Sequence, residues 1–297
     1  MKAKARFDGA VRIGGTRVRP VAVWMSPAVS RTRPLRSTTC MRELELPMPA
    51  TMRSISGLRD FGEIENLQVS PSSIDNFVSR TEKKLFASLS YDLTKSRPDW
   101  GIKINENFTS NPGKYYWIVE TLNGKHNFSH GLPYFSIAIS VEYNNEIIST
   151  IILDPLRDET FFAEKGKGAF LNDKRIRVSK RNSLSNSIFS IHEDEKSNTN
   201  THLSKIRALA NNHSSLTREF GSSALSFAWL ACGKIDCLFV YNLDKNQIAC
   251  GALLIKEAGG YLTNLKYVDG YNTPFELVIG ANPTLHKEII KKLNNIS

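Results

Sequence analysis

The sequence has little cysteine, no long apolar run and little net charge beyond its first sixty residues. Its cysteines, Cys40, Cys232, Cys237 and Cys250, form no CxxC pair and no metal-ligand spacing among 297 residues. Such sparse cysteine excludes a disulfide framework and predicts reduced, structural thiols in a cytoplasmic protein. The longest apolar runs, such as residues 147–153, are strand-sized, whereas a membrane-spanning helix needs about 20 apolar residues. The sequence therefore predicts no membrane anchoring.

The net charge of +10 is concentrated at one end of the chain. Residues 1–60 hold 12 Lys+Arg and 4 Asp+Glu, a net charge of +8, which leaves only +2 for the remainder. A nucleic-acid-binding domain usually carries its basic residues on the folded surface. The nearly neutral remainder therefore argues against nucleic acid as the main ligand of the folded part.

Residues 1–47 differ in composition from the rest, and we predict that they form a basic, disordered leader before one domain at residues 48–297. The leader is rich in arginine and proline and shows little apolar periodicity. Three interpretations remain open: a targeting peptide, a basic arm that binds nucleic acid, or a start assigned too far upstream. The abrupt change from arginine to lysine use favours the third.

The periodicity of the remaining chain predicts a layered α/β fold. Asn144-Asn145 predicts a hairpin turn between two strands. Helices are expected within residues 82–93, 198–213, 222–232, 248–258 and 285–293. Strands are expected at residues 115–119, 135–143, 146–153, 160–163, 169–171, 236–241 and 278–281.

Five stretches, in matching order and spacing, resemble the inositol monophosphatase family and in particular its SuhB-like bacterial branch. These stretches are residues 60–70, 117–128, 154–170, 221–225 and 249–260. The resemblance covers about residues 48–297 and implies an αβαβα sandwich, usually a homodimer. It also implies hydrolysis of inositol phosphate or another small phosphomonoester by a water that two or three Mg²⁺ ions activate.

The resemblance places the metal ligands at Glu106, Glu120, the backbone carbonyl of Leu122, Asn123 and Gln247. The family has aspartate at the positions of Glu120, Asn123 and Gln247, so one ligand is lengthened and two are neutral here. Magnesium prefers carboxylate and water oxygens, and a neutral amide is a weaker ligand. We therefore expect Mg²⁺ binding to be weakened or lost.

The resemblance also transfers the catalytic and substrate-binding positions. Lys125 replaces the threonine that helps to orient the attacking water, and Glu82 stands at the position of its aspartate partner. The substrate-binding positions are Gly124, Lys125, Gly221, Ser222 and Val240. Of these, Val240 stands where the family has a glutamate that contacts the inositol hydroxyls.

Because the substitutions fall on the catalytic positions while the scaffold glycines and apolar segments remain, we predict a pseudoenzyme. Three alternatives remain open: an active phosphomonoesterase with an altered metal site, a non-catalytic SuhB-like partner of RNA polymerase or transcription factors, and a sensor of a phosphorylated ligand. In the third, the Lys125 ammonium would pair with Glu106 or Glu120 and attract a phosphate without cleaving it. Alternatively, Lys125 caps a local carboxylate or points to solvent.

Overall fold

The computed structural model describes residues 60–64, 71–104, 107–109, 113–193, 201–213, 216–268 and 277–295. The predicted leader, residues 1–47, and the predicted ligand Glu106 lie outside these ranges. Within them, no helix has both the length and the hydropathy required to cross a membrane.

The described cysteines agree with the sequence prediction. Cys232, Cys237 and Cys250 all carry free thiols, and the last two are buried. Cys40 lies outside the described residues. These three thiols therefore contribute apolar packing rather than crosslinks.

Helices and strands alternate in the second half of the chain, after a run of consecutive antiparallel strands. The helices are α1 (Pro71–Ser96), α2 (Lys125–Ser129), α3 (Thr201–His213), α4 (Ser223–Ala231), α5 (Lys245–Glu257) and α6 (Pro283–Asn294). The first strands are β1 (Gly101–Ile104), β2 (Asn107–Thr109), β3 (Tyr115–Asn123), β4 (Ser136–Tyr143), β5 (Glu146–Asp154), β6 (Glu159–Glu164), β7 (Gly168–Leu171) and β8 (Lys174–Arg175). The later strands are β9 (Phe189–Glu193), β10 (Thr217–Arg218), β11 (Cys237–Tyr241), β12 (Tyr261–Thr263) and β13 (Leu277–Ala281).

The strands form two sheets. The larger has the order β2-β1-β3-β4-β5-β6-β7-β8, and the smaller has the order β10-β9-β11-β13-β12. The predicted turn at Asn144 and Asn145 is confirmed, because both residues have positive φ (50° and 62°) between paired strands β4 and β5. Asparagine tolerates this left-handed backbone better than most residues, which suits a two-residue hairpin.

Helices and sheets pack in five layers through shared apolar clusters. Leu85, Leu89 and Leu93, four residues apart on one face of α1, are buried against one side of the larger sheet. The other side shares a core with α4, α5 and one face of the smaller sheet. The opposite face of the smaller sheet packs against α3 and α6. The order of layers confirms the predicted αβαβα sandwich.

The two central helices pack closely through a glycine. A Cβ atom built on Gly251 of α5 would lie 2.1 Å from Cγ of Phe227 in α4, which is fully buried. Only glycine allows this approach, and it brings the first turns of both helices toward the end of β3.

Candidate functional site

Several of the predicted site residues lie near the end of β3, among them Glu120, Asn123, Gly124, Lys125 and Ser222. The strand pairing with β4 shifts register between Glu120 and Asn123, a β-bulge of the kind that redirects side chains at strand ends. The chain then passes through Gly124 into the short helix α2. The first turns of α4 and α5 approach from two later segments of the sequence.

Gly124 and Gly221 shape the two loops beside this point. Gly124 has φ of 101°, and a Cβ atom there would lie 2.9 Å from the Tyr134 carbonyl oxygen. Gly221 has φ of 76°, and its Cβ atom would lie 2.9 Å from the side-chain amide of Asn127. Both positions were predicted to bind substrate. At both, the positive φ and the close neighbouring atoms disfavour any residue larger than glycine.

Asn127 joins the same two loops. Its Nδ2 donates to the carbonyl oxygens of Tyr134, at 2.7 Å, and Phe220, at 2.6 Å. The side chain is buried, so these bonds hold the loop before α4 against the segment after α2. The arrangement fixes the position of the α4 N-terminus relative to β3.

The Asn123 side chain, a predicted metal ligand, forms hydrogen bonds with the start of α4. Its Oδ1 accepts from Ser222 Oγ at 2.7 Å and from the Ala224 backbone N–H at 3.0 Å. Its Nδ2 donates to Ser223 Oγ at 3.1 Å. Ser222, a predicted substrate contact, is fully buried and also caps α4 by accepting from the Leu225 N–H. The Asn123 oxygen is thus directed at helix donors.

The Gln247 side chain, also a predicted ligand, folds back onto the start of its own helix. Its Oε1 accepts from the Asp244 backbone N–H at 3.0 Å, and Asp244 Oδ1 accepts from the Gln247 N–H at 2.8 Å. The two residues form a capping box at the N-terminus of α5. Sequence analysis missed Asp244, although an aspartate followed three residues later by glutamine is a recognisable helix-start signal.

Glu120 is the remaining described carboxylate among the predicted ligands. Its Oε1 is buried and has no hydrogen-bond partner among the described residues. Burial, reinforced by the negative charge of Asp244, raises the pKa of Glu120 from 4.5 to about 7. A hydrogen bond from the Asn123 side chain and the nearby charge of Lys125 oppose the rise in pKa but do not cancel it.

Lys125 and Glu82 form the ion pair of this site. Lys125 Nζ lies 2.8 Å from Glu82 Oε1, and Thr121 Oγ1 lies 3.4 Å from the same oxygen. The Lys125 side chain is 50% exposed and that of Glu82 is 31% exposed. Lys125 therefore pairs with a local carboxylate, which was one of the alternatives, and that carboxylate belongs to Glu82.

The remaining predicted positions lie in the core. Leu122 is buried in the cluster that holds Phe128 and Phe135. Val240 is buried in β11, opposite Val278 of β13, and belongs to the cluster shared with α4 and α5. A buried valine side chain provides no polar group for a hydroxylated ligand.

The described residues do not fit the magnesium centre that the resemblance implies. No group of three or more His, Cys, Asp or Glu side chains that could hold a metal ion occurs in the described part of the chain. The Asn123 and Gln247 oxygens already accept backbone N–H groups, and Glu120 is the one carboxylate among the predicted ligands that the structure describes. Mg²⁺ requires several anionic or water oxygens in nearly octahedral geometry. No catalytic step through a metal follows from this donor set.

Comparisons with known proteins give consistent matches. The sequence profile of the inositol monophosphatase family matches residues 61–297. An inositol-1-monophosphatase of Rhizobium meliloti is 35% identical over 73% of this chain and 82% of that protein. The Nus factor SuhB of Xylella fastidiosa is 31% identical over 71% of this chain and 78% of that protein. The crystal structure of the extragenic suppressor protein suhB from Bartonella henselae has a TM-score of 0.70 and 30% identity, covering 83% of this chain and 95% of that one.

Proposed function

The chain belongs to the inositol monophosphatase family, and we propose that it has lost the Mg²⁺-dependent hydrolysis of phosphomonoesters and acts through binding alone. The Lys125–Glu82 ion pair is the observation that carries this proposal. The resemblance puts a threonine and an aspartate at these positions, where they orient the attacking water.

A lysine ammonium cannot perform that task. It has three N–H donors and no acceptor, so it cannot accept a proton or a hydrogen bond from water. Its contact with Glu82, at 2.8 Å, also occupies the carboxylate that would otherwise be the partner of the orienting group. In addition, the positive charge of Lys125 repels a divalent cation. The neutral side chains of Asn123 and Gln247 provide no negative charge to attract one.

A phosphate-release assay of the full chain with inositol monophosphate and MgCl₂ tests the proposal. The comparison is a variant with four substitutions, Glu120→Asp, Asn123→Asp, Lys125→Thr and Gln247→Asp. We expect phosphate release at the uncatalysed rate from the unaltered chain and measurable turnover from the variant. Turnover by the unaltered chain at a rate similar to that of the variant would establish the alternative, an active phosphomonoesterase with an altered metal site.

Among binding roles, the names of two relatives favour a SuhB-like one. Proteins named Nus factor SuhB are 31% and 29% identical to this chain over 71% and 69% of its length. We propose a cytoplasmic homodimer that contacts RNA polymerase or its associated factors. Pull-down of purified RNA polymerase and Nus factors by the full chain tests this role. Retention that is equal in the four-substitution variant is expected, because the contact would be independent of the site.

A further inference from the structure

We propose that the Asn123 side chain takes the place of a metal ion in joining β3 to α4 through uncharged hydrogen bonds, while the Gln247 side chain caps α5 from within. The proposal concerns the same site as the proposed function and rests on its claim that no metal centre remains. Its consequence is a folding stability that does not depend on Mg²⁺, which is measured separately from hydrolysis.

Asn123 is suited to this role because an amide both donates and accepts. Its Oδ1 satisfies the Ala224 N–H, which as a first-turn amide has no partner within α4, and its Nδ2 reaches Ser223. These bonds connect positions about 100 residues apart in the sequence. A carboxylate at this position would keep the acceptor bonds but lose the donated one.

Gln247 acts within the second helix rather than between elements. Its capping box with Asp244 satisfies two backbone N–H groups at the start of α5 without any ion. Farther along α5, the Cys250 carbonyl accepts from Thr150 Oγ1 of β5 at 3.0 Å, both groups being buried. This hydrogen bond between uncharged groups thus joins α5 to the larger sheet, whereas the capping-box bonds stay within α5.

The neighbouring Glu120 carboxyl explains why an amide fits at position 123. Glu120 Oε1 is buried and has no hydrogen-bond partner among the described residues. An aspartate at position 123 would remove the amide donor and add a second negative charge. Buried carboxylates at close range need a cation or a proton to balance them. The amide makes the site stable without either.

Thermal unfolding of the full chain in 10 mM EDTA and in 10 mM MgCl₂ tests the proposal directly. We expect the same Tm in both buffers. A cation present at 100 times its Kd would raise the Tm of a domain of this size by roughly 5–10 °C. A rise of that size in MgCl₂ would overturn the proposal.

The Asn123→Asp variant gives the second measurement. We expect it to unfold at a lower temperature than the unaltered chain in EDTA and to recover at least partly in MgCl₂. The matched control is Asn282→Asp, since Asn282 caps α6 through the Leu285 N–H and donates to the Ser179 and Arg181 carbonyls far from the site. The control should lose stability equally in both buffers. An Asn123→Asp variant with an unaltered Tm in EDTA would contradict the proposal.

Gln247→Met keeps the proposal testable if Asn123→Asp does not fold. It removes the bond from the Asp244 N–H to Gln247 Oε1 while retaining side-chain length and the bond from the backbone N–H of residue 247 to Asp244. Loss of this half of the capping box should lower the Tm by roughly 1–6 °C in both buffers. An unchanged Tm would show that the box does not stabilise α5 and would count against the proposal. The outcomes are separable from the proposed function, because phosphate release by the unaltered chain would refute loss of hydrolysis whatever the Tm shows.

Discussion

The exchange of a carboxylate for an amide at position 123 determines which hydrogen bonds form at the end of β3. Exchanging a carboxylate for an amide removes one negative charge and converts one acceptor atom into a donor. At Asn123 the new donor reaches Ser223, and the retained oxygen caps α4. Both polar atoms of the Asn123 amide therefore have partners, whereas Glu120 Oε1 has none among the described residues.

The raised pKa of Glu120 predicts a pH-dependent stability. Because the pKa rises from 4.5 to about 7 on folding, the folded chain holds the proton more tightly than the unfolded chain. The contribution of Glu120 to stability is thus most favourable below pH 4.5, falls as the pH rises through 4.5 to 7, and is level above that range. Glu120→Gln mimics the protonated form and should remove this loss. We expect the variant to be more stable than the unaltered chain by up to about 3 kcal/mol at pH 8.

Denaturant unfolding at two pH values checks this prediction. At pH 5 the gain of Glu120→Gln should shrink to less than about 1 kcal/mol, because the folded carboxyl is then protonated. Glu146→Gln is the control, since Glu146 is exposed and paired with Lys165 on the surface. The control should change the unfolding free energy by less than about 0.5 kcal/mol at either pH. A gain for Glu120→Gln that does not depend on pH would refute the assignment.

The Lys125–Glu82 pair predicts the effect of releasing the ammonium. Glu82→Gln removes the charge that lies 2.8 Å from Lys125 Nζ and leaves the ammonium available to an anion. Exposed ion pairs of this kind contribute about 0.2–1 kcal/mol. We therefore expect titration calorimetry to show inorganic phosphate binding about two- to fivefold more tightly to Glu82→Gln than to the unaltered chain. Adding Lys125→Gln should abolish the gain, and equal affinities of the first two proteins would exclude a phosphate contact by Lys125.

At the scale of helices, the close contact of α4 and α5 predicts that the chain is sensitive to substitution of Gly251. Gly251→Ala would place a Cβ atom 2.1 Å from the ring of Phe227, which is fully buried. Overpacking of this kind costs about 1–3 kcal/mol. We expect Gly251→Ala to lower the Tm, measured by circular dichroism, by several degrees.

Gly62→Ala is the control for this helix prediction. Gly62 lies in the helical residues 60–64, and a Cβ atom there would meet nothing within 4 Å. Alanine is favoured over glycine in helices by about 1 kcal/mol, so the control should keep or raise the Tm. If both variants unfold at the temperature of the unaltered chain, α4 and α5 do not approach each other as closely as described.

Local patterns gave most of the helices and strands, since those patterns depend on nearby residues. The leucine spacing at Leu85, Leu89 and Leu93 predicted a helix that is confirmed, although α1 extends beyond the predicted range to Pro71 and Ser96. The layered order also followed from the pattern of hairpins and alternating elements. Helix and strand ends were less accurate because tertiary contacts extend them, as β3 extends past the predicted Val119 to Asn123.

The contacts within the site required the structure. The sequence resemblance identified Asn123 and Gln247 as altered ligands, but it could not show which donors their oxygens accept from. The Asn123 partners lie about 100 residues away, and Glu82 lies 43 positions before Lys125 in another layer. Asp244 was the exception, since its capping box is local in sequence and could have been recognised.

At the scale of the whole chain, the distribution of charge separates two kinds of sequence. Residues 1–47 contain ten Lys+Arg and three Asp+Glu, so their removal lowers the net charge from +10 to +3. The αβαβα layers, in contrast, are built from residues after position 60. The charge of the leader and the stability of the fold should therefore be separable properties.

A chain that begins at Met48 tests this separation. Because the leader has too few apolar residues in a regular pattern to bury a core, its removal should leave the Tm and the denaturant m-value unchanged. The truncated chain should elute from a cation-exchange column at lower salt, since fewer positive charges contact the matrix. A matched full-length variant with Arg31, Arg33 and Arg36 replaced by glutamine should elute between the two. A lower Tm for the truncated chain would show instead that residues 1–47 pack against the domain.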